Sequence, residues 1–268
     1  VSVLKDASSA AIYGARGAFG VILVTTKNAT AGKTKINYNG SFSMHQRTVK
    51  TEDGIVSNGL QWTDGWYTAY LEGQEAPPGG INNVFKYSTD WYNELVRRDA
   101  DPSLDKVRVN DKGEYEYFGN TNWLDIIYKD QNYSTEHNVS ISGGNERARY
   151  YVSGRYYNQD GIYNAGDEKY TQYNIRSKGE IQINKSLWLE NNTDVMIFRS
   201  HQPMVMYDRQ NITRQAQHQG YPVTMEKNPD GTWTEAAVYI GWAGFVEGTS
   251  WQKDNKLDVR NTTTLTYT

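Results

Sequence analysis

The sequence predicts an all-β chain dominated by an antiparallel up-and-down transmembrane β-barrel, present in part as about six strands. Three observations predict it: six two-faced runs as long as membrane strands, alternating short and long connections between them, and a composition rich in aromatics yet polar on average. Aromatic residues reach 13%, with 21 Tyr and 8 Trp, while hydrophobic residues make up only 37%. Disordered chains combine low hydrophobicity with few aromatics, so this one is expected to fold. Its longest aliphatic stretch is Val21-Ile22-Leu23-Val24, far short of the roughly 20 residues a spanning helix needs. A barrel strand escapes that requirement, because only alternate residues meet lipid.

The runs follow period two. In Lys35 to Met44, Ile36, Tyr38, Phe42 and Met44 share one face with Gly40, and Asn37, Asn39, Ser41 and Ser43 share the other. In Glu136 to Gly143, Val139 and Ile141 oppose Asn138, Ser140 and Ser142. Ala148 to Asn158 sets Tyr150, Val152, Gly154 and Tyr156 against Arg149, Tyr151, Ser153, Arg155 and Tyr157. The clearest run is Tyr173 to Asn184, where Tyr173, Ile175, Ile181 and Ile183 face away from Asn174, Arg176, Lys178, Glu180 and Gln182. Leu187 to Arg199 and Leu257 to Tyr267 continue the pattern. Each run is about 10 residues or longer, near the length of a tilted membrane strand and above the usual strand of roughly 5–6. Charges on the second face need water or partners, which a lumen supplies.

Connection lengths carry more information than any one strand. Gly144 to Arg147 joins runs two and three, and little more than Lys185-Ser186 joins runs four and five. The other connections are about 90, about a dozen and about 55 residues long. An up-and-down barrel places all its short turns at one rim and all its long loops at the other. A soluble sandwich has no reason to keep that parity.

The start of the chain differs. Asp6 is placed to cap a short helix over Ala7 to Tyr13 that Gly14 ends, and Val21 to Thr26 reads as a buried strand. A small polar stretch, Asn28 to Lys33, then reads as a linker. The expected divisions are 1–28, a linker at 29–34, and the barrel at 35–268 with long loops at about 45–134, 159–170 and 200–255. Those loops are not low-complexity. The first holds Trp62, Trp66, Trp91 and Trp123, and Ser88 to Arg98 predicts a short helix capped near Thr89 or Asp90. The third carries Asn228-Pro229-Asp230-Gly231, a strong turn signal.

The residues from Val3 to Lys27, reading VLKDASSAAIYGARGAFGVILVTTK, resemble the end of the plug of SusC/RagA-type TonB-dependent transporters. That family reads there as V-L-K-D-A, two small residues, A-I-Y-G, a small residue, R, two small residues and N-G-V-I; Phe19 replaces the common Asn. Asn120 to Asp125 is similar to the family's T-(D/N)-W-x-(D/N) segment, and Asn138 to Gly144 with Tyr150 to Ser153 and Asp160 to Ile162 is similar to its early strand pair and loop. The resemblance covers the start and middle of the chain. It implies that 1–28 is the C-terminal end of a small α+β plug domain, inside a barrel of about 22 strands in the bacterial outer membrane. It further implies energy from the TonB–ExbB–ExbD system, a SusD-like surface lipoprotein as partner, and an oligosaccharide or sometimes a peptide as cargo. The TonB box and most of the plug would lie before Val1, and six strands alone, with costly unpaired edges in lipid, would transport nothing.

No catalytic constellation is visible. Cysteine is absent, which removes disulfides, thiol catalysis and Cys-based metal sites. A net charge of -3 with mixed signs leaves no basic footprint for nucleic acid. Gly14, Gly17 and Gly20 lack phosphate-loop spacing. His45, His137, His201 and His218 lack metal-ligand spacing, and Asp99, Asp101 and Asp105 lack the glycine and final Glu of a calcium loop. Neither a cofactor nor a metal is expected. The candidate substrate-binding residues are Trp62, Trp66 and Trp91, whose flat rings suit stacking on sugar faces, against the plainer reading that they pack the loops. Strand aromatics such as Tyr38, Tyr156 and Tyr173 suit interfacial girdles. Arg16 is the candidate plug–barrel contact, against local capping of carbonyls near Gly14. Two other readings compete with nutrient import: a receptor for iron chelates or cobalamin, and a soluble β-rich carbohydrate-binding or hydrolytic module.

Overall fold

Alternating side chains with no second layer to cover them give one broad sheet. The computed structural model describes residues 2–6, 11–17, 19–24, 31–48, 54–85, 87–204, 212–248 and 250–268. Two short strands, β1 (Ser2–Leu4) and β2 (Val21–Leu23), pair antiparallel around a 3₁₀ segment, Ala11–Gly17. The large sheet follows: β3 (Gly32–Gln46), β6 (Gln131–Gly144), β7 (Ala148–Asp160), β8 (Lys169–Asn184), β9 (Leu187–Pro203) and β10 (Trp251–Tyr267). Each strand hydrogen-bonds its sequence neighbour in a six-stranded meander, β10-β9-β8-β7-β6-β3. The sheet is open, a part of an up-and-down barrel.

Register places the apolar residues on one face. Tyr38 pairs with Val139, Val139 with Gly154, Gly154 with Ile175, Ile175 with Val195 and Val195 with Val259. This face is bare: Tyr38 is 68% exposed and Ile175 51%. Among the described residues no second sheet presses against it. The apolar belt also runs diagonally. It includes Met44 and Tyr133, toward the long connections, on one edge of the sheet, and Tyr267 and Leu187, at the short turns, on the other. A drift of roughly one residue per strand, with about 3.3 Å rise and 4.8 Å spacing, is a tilt of roughly 35°, as barrel closure demands.

Between β3 and β6 the chain forms α1 (Gly59–Leu71), α2 (Thr89–Ala100), the hairpin β4 (Val107–Val109) and β5 (Tyr115–Tyr117), and α3 (Trp123–Ile127). Between β9 and β10 it forms α4 (Ile212–Gln219), α5 (Glu235–Tyr239) and α6 (Trp242–Glu247). All three long connections leave the same end of the sheet, and both short turns lie at the other.

Several boundaries differ from expectation. β3 begins at Gly32, inside the expected linker, with a register irregularity before Lys35. The three long connections are shorter than expected, because the strands continue to Gln46, Asp160 and Pro203 and resume at Gln131, Lys169 and Trp251. Helix α2 is capped by Ser88, whose Oγ accepts from the Trp91 amide at 3.0 Å, one residue before the expected cap. Of the early helix, Ala7 to Ala10 lie outside the described residues. The rest is 3₁₀ and continues past Gly14, whose φ of 59° makes a kink rather than an end. The strand expected to be buried leaves Ile22 exposed, since its two-stranded sheet has no covering layer among the described residues; Thr25 and Thr26 fall outside them.

Candidate functional site: a polar wall beneath a folded cap

The face opposite the belt is lined with charge and amide. Arg155 Nη2 donates to Glu136 Oε2 at 2.8 Å, and Asn138 Nδ2 donates to Glu136 Oε1 at 2.7 Å. Next to them Gln172 Nε2 donates to Asn174 Oδ1 at 2.9 Å, and Arg176 Nε to Asp194 Oδ2 at 2.7 Å. Asn37, Asn39, Ser140 and Ser153 complete a cleft of about 830 Å³ along this wall. The ion pairs are local, so the wall is nearly balanced in charge.

Above one end of the sheet the three long connections interlock. The Gly119 amide donates to the Val223 carbonyl and the Thr121 amide to the Pro222 carbonyl, both at 2.9 Å. Trp123 Nε1 donates to Thr224 Oγ1 at 3.2 Å. The shortest connection joins through Asn164, whose Nδ2 donates to the Ile126 carbonyl at 2.9 Å. Glycine allows the close approach of the first connection to the last: a Cβ on Gly119 would fall 2.6 Å from the Thr224 oxygen. Two apolar clusters fill the cap. One gathers Trp123, Ile127, Ile212, Ile240, Trp242 and Phe245, the other Ile81, Trp91, Leu95, Phe118 and Val223.

The three expected tryptophans meet in one aromatic stack. Trp62 and Trp66, four apart on α1, approach with ring centroids 6.3 Å apart. Phe85 touches both at 5.0 and 5.2 Å, and Tyr221 stacks on Trp62 at 5.1 Å. From Phe85 the stack continues to Tyr87, which lies parallel to Trp91 at 3.9 Å, and Trp91 then stacks on Phe118 at 5.7 Å. Trp91 is the innermost of the three tryptophans, only 5% exposed, with its ring between Tyr87 and Phe118 and its Nε1 donating to the Tyr117 carbonyl. Trp66 is the outer end, 46% exposed. Half-buried Trp62 also edges a cleft of about 180 Å³ shared with Trp123, Ala216 and Pro222. Burial pushes the Tyr87 phenol up to about 12, helped by Tyr221, so this part of the stack stays uncharged. Phe85, Tyr87 and Tyr221 were not singled out from sequence; the i, i+4 spacing of Trp62 and Trp66 was the available signal. Arg16 is exposed in the last turn of the 3₁₀ segment and has no ion-pair partner among the described residues. No group of His, Asp and Glu suited to a metal occurs among the described residues.

Fold and site together define a strip of membrane-type β-barrel, apolar outside and polar inside, carrying a folded cap. The relatives narrow this further. The chain is 30% identical over 186 residues to TonB-dependent receptor P3 of Formosa agariphila, covering 69% of this chain and 14% of that protein. It is 32% identical over 163 residues to TonB-dependent receptor SusC of Bacteroides thetaiotaomicron, covering 60% of this chain and 12% of that protein. The solved structure of the RagAB peptide transporter matches with a TM-score of 0.56 at 21% identity, over 87% of this chain and 25% of that one. No protein-family profile matches. The chain has the sequence and fold of a SusC/RagA-type TonB-dependent receptor over the stretch it spans, about a seventh of the length of the first of these relatives.

Proposed function

We propose that this chain supplies part of the wall and outer cap of an importer in the bacterial outer membrane, driven by TonB–ExbB–ExbD. In this reading residues 1–28 end the plug and 35–268 begin the barrel, with Arg16 facing the carboxylates of the wall. The single observation that carries it is the sheet itself, whose bare apolar face suits acyl chains and whose ion-paired face suits an aqueous lumen. A SusD-like lipoprotein is the partner that closes over the cap. The cargo is an oligosaccharide, with Trp66 and Trp62 as the stacking rings and Trp91 as the buried support that fixes their stack. Peptide cargo is the alternative within the same mechanism. The relatives bear names of receptors and a transporter, which fits a protein that binds and gates.

The test uses the full-length receptor in its own strain. Deletion should abolish growth on a particular glycan at limiting concentration. Trp66→Ala should raise the concentration needed for half-maximal uptake roughly five- to tenfold, the loss of about 1 kcal/mol or more of ring stacking, without lowering the amount of folded receptor. A deletion strain that fails on peptides, or on iron chelates or cobalamin, while growing normally on every glycan would overturn the cargo. Recovery of the receptor in the aqueous phase without detergent would overturn the membrane reading.

A further inference from the structure

Directly beyond the apolar belt, on the same outward face and toward the cap, the register gathers basic residues on three adjacent strands. Ile197, Leu257 and Tyr173 are outward, so Arg199, Asn255 and Thr171, two residues further along, are outward as well, followed by His201, Lys253 and Lys169. Lys169 pairs directly with His201, and His201 with Lys253. Lys169 and Lys253 thus flank His201 at one level of the sheet, a step beyond Arg199. Lys169 is offset by Asp167 at 3.0 Å and by Asp160 opposite it. His201 Nδ1 donates to the Asp167 carbonyl at 3.2 Å, and its ring stacks on Trp251 at 4.2 Å. Arg199 and Lys253 have no ion-pair partner among the described residues. The neighbouring carboxylate on β10, Asp254, has the opposite parity and accepts from Ser200 and Gln252 on the inner face.

The outward face also has a gap. At Gly154 the row of side chains opens into a groove of about 320 Å³ walled by Tyr38, His137, Val139, Tyr156, Tyr173 and Ile175. Arg199 pairs with Thr171, and Thr171 with Asn158, on the strand that carries Gly154. By strand spacing and rise the groove lies roughly 16 Å from Arg199 toward the membrane centre, within reach of a fatty acyl tail.

We propose that this surface binds a phosphorylated glycolipid of the outer leaflet, its phosphate between Arg199 and Lys253 and one acyl chain in the Gly154 groove; the site rests on the membrane reading above. Trp251 and His201 flank the headgroup at the interface, where amphipathic rings are favoured. The two cations give charge selectivity, and the groove separates an acylated ligand from a free anion.

The experiment uses the full-length receptor, delipidated in non-ionic detergent. It is titrated with a phosphorylated, multiply acylated disaccharide lipid, with the same lipid lacking phosphate, and with inorganic phosphate. The phosphorylated lipid is expected to bind tightest. The double variant Arg199→Gln, Lys253→Gln should weaken it roughly 25-fold, at about fivefold per charge. Gly154→Leu should weaken both lipids; an added Cβ there meets only Val139 Cγ1, at an ordinary 3.6 Å, and the heat-dependent mobility shift of the variant checks that it is folded. Equal affinity for the phosphate-free lipid, unchanged binding by the double variant, or displacement of the lipid by inorganic phosphate would each overturn the site. Failure of the membrane reading shows separately, as wild-type receptor leaving the membrane fraction without detergent.

Discussion

At the residue scale, the cap is held by side chains that tie its short elements to one another. Glu94 on α2 is the clearest case. It accepts from Arg97 Nε at 2.9 Å and from Arg98 Nε at 3.0 Å. Arg98 in turn donates to the Asp105 carbonyl and lies over the Phe118 ring at 4.9 Å, joining the helix to β5. The hydrogen bond from Arg97, reinforced by Arg98 against a smaller opposing effect of burial, holds the Glu94 carboxyl down to about 2. Because the folded value lies below the ordinary one, this carboxylate stabilises the cap above the ordinary carboxylate range, and that contribution is lost as pH falls toward 2. Hydrogen exchange of the α2 amides, corrected for intrinsic rates, should show protection that is flat at neutral pH and declines between about 4.5 and 2. Glu94→Gln should lower protection at neutral pH and remove most of that decline. An unchanged profile in the variant would place the acid sensitivity elsewhere.

At the element scale, the alternating pattern in the sequence measured the apolar belt rather than the strand. In β6 the legible run starts at Glu136, yet the strand starts at Gln131; in β8 the run starts at Tyr173 and the strand at Lys169. In the proposed membrane setting both faces meet water beyond the belt, so nothing constrains one of them to be apolar and the periodicity vanishes while the backbone pairing continues. The cap was less legible for a different reason. Helix α1 carries aromatics on several sides because it packs on Phe85 and Tyr92 of its own connection and on Tyr221 of the last one while Trp66 meets solvent, so no single apolar stripe announced it. Trp62 and Trp66 were readable as binding candidates by residue type, whereas the burial of Trp91 depends on Tyr87 and Phe118, which only the tertiary structure brings to it. The facing of each strand is testable residue by residue. Ile175→Lys should destabilise the inserted full-length receptor by about 2–4 kcal/mol, the cost of a cation at mid-membrane on the lipid side. Ser140→Lys, on the opposite face of the sheet between Asn37 and Ser153, should change stability by less than about 1 kcal/mol. Urea or heat unfolding followed by the mobility shift of the folded receptor measures both, and equal costs would mean that the two faces see the same surroundings.

At the scale of the whole molecule, the decisive feature is parity. Six strands joined consecutively send every long connection to one end and both tight turns to the other, and the long connections fold against one another instead of trailing separately. That arrangement puts the helices and the irregular structure on one rim and leaves the other rim minimal. The parity was visible in connection lengths alone; the interlocking was not, because it rests on backbone pairs such as Gly119 to Val223, more than a hundred positions apart, that carry no local signature. The membrane reading turns parity into sidedness, and the absence of cysteine from this chain makes sidedness measurable. In the full-length receptor, a cysteine at Asp230, in the exposed turn of the cap closed by Gly231 at φ 83°, should react on intact cells with a membrane-impermeant maleimide. A cysteine at Asn145, in the tight turn between β6 and β7, should react only after the outer membrane is opened. The parent receptor without either cysteine gives the background. Labelling of both positions on intact cells would mean that the two rims share one compartment, and the strip of barrel would then lie flat against a surface instead of crossing it.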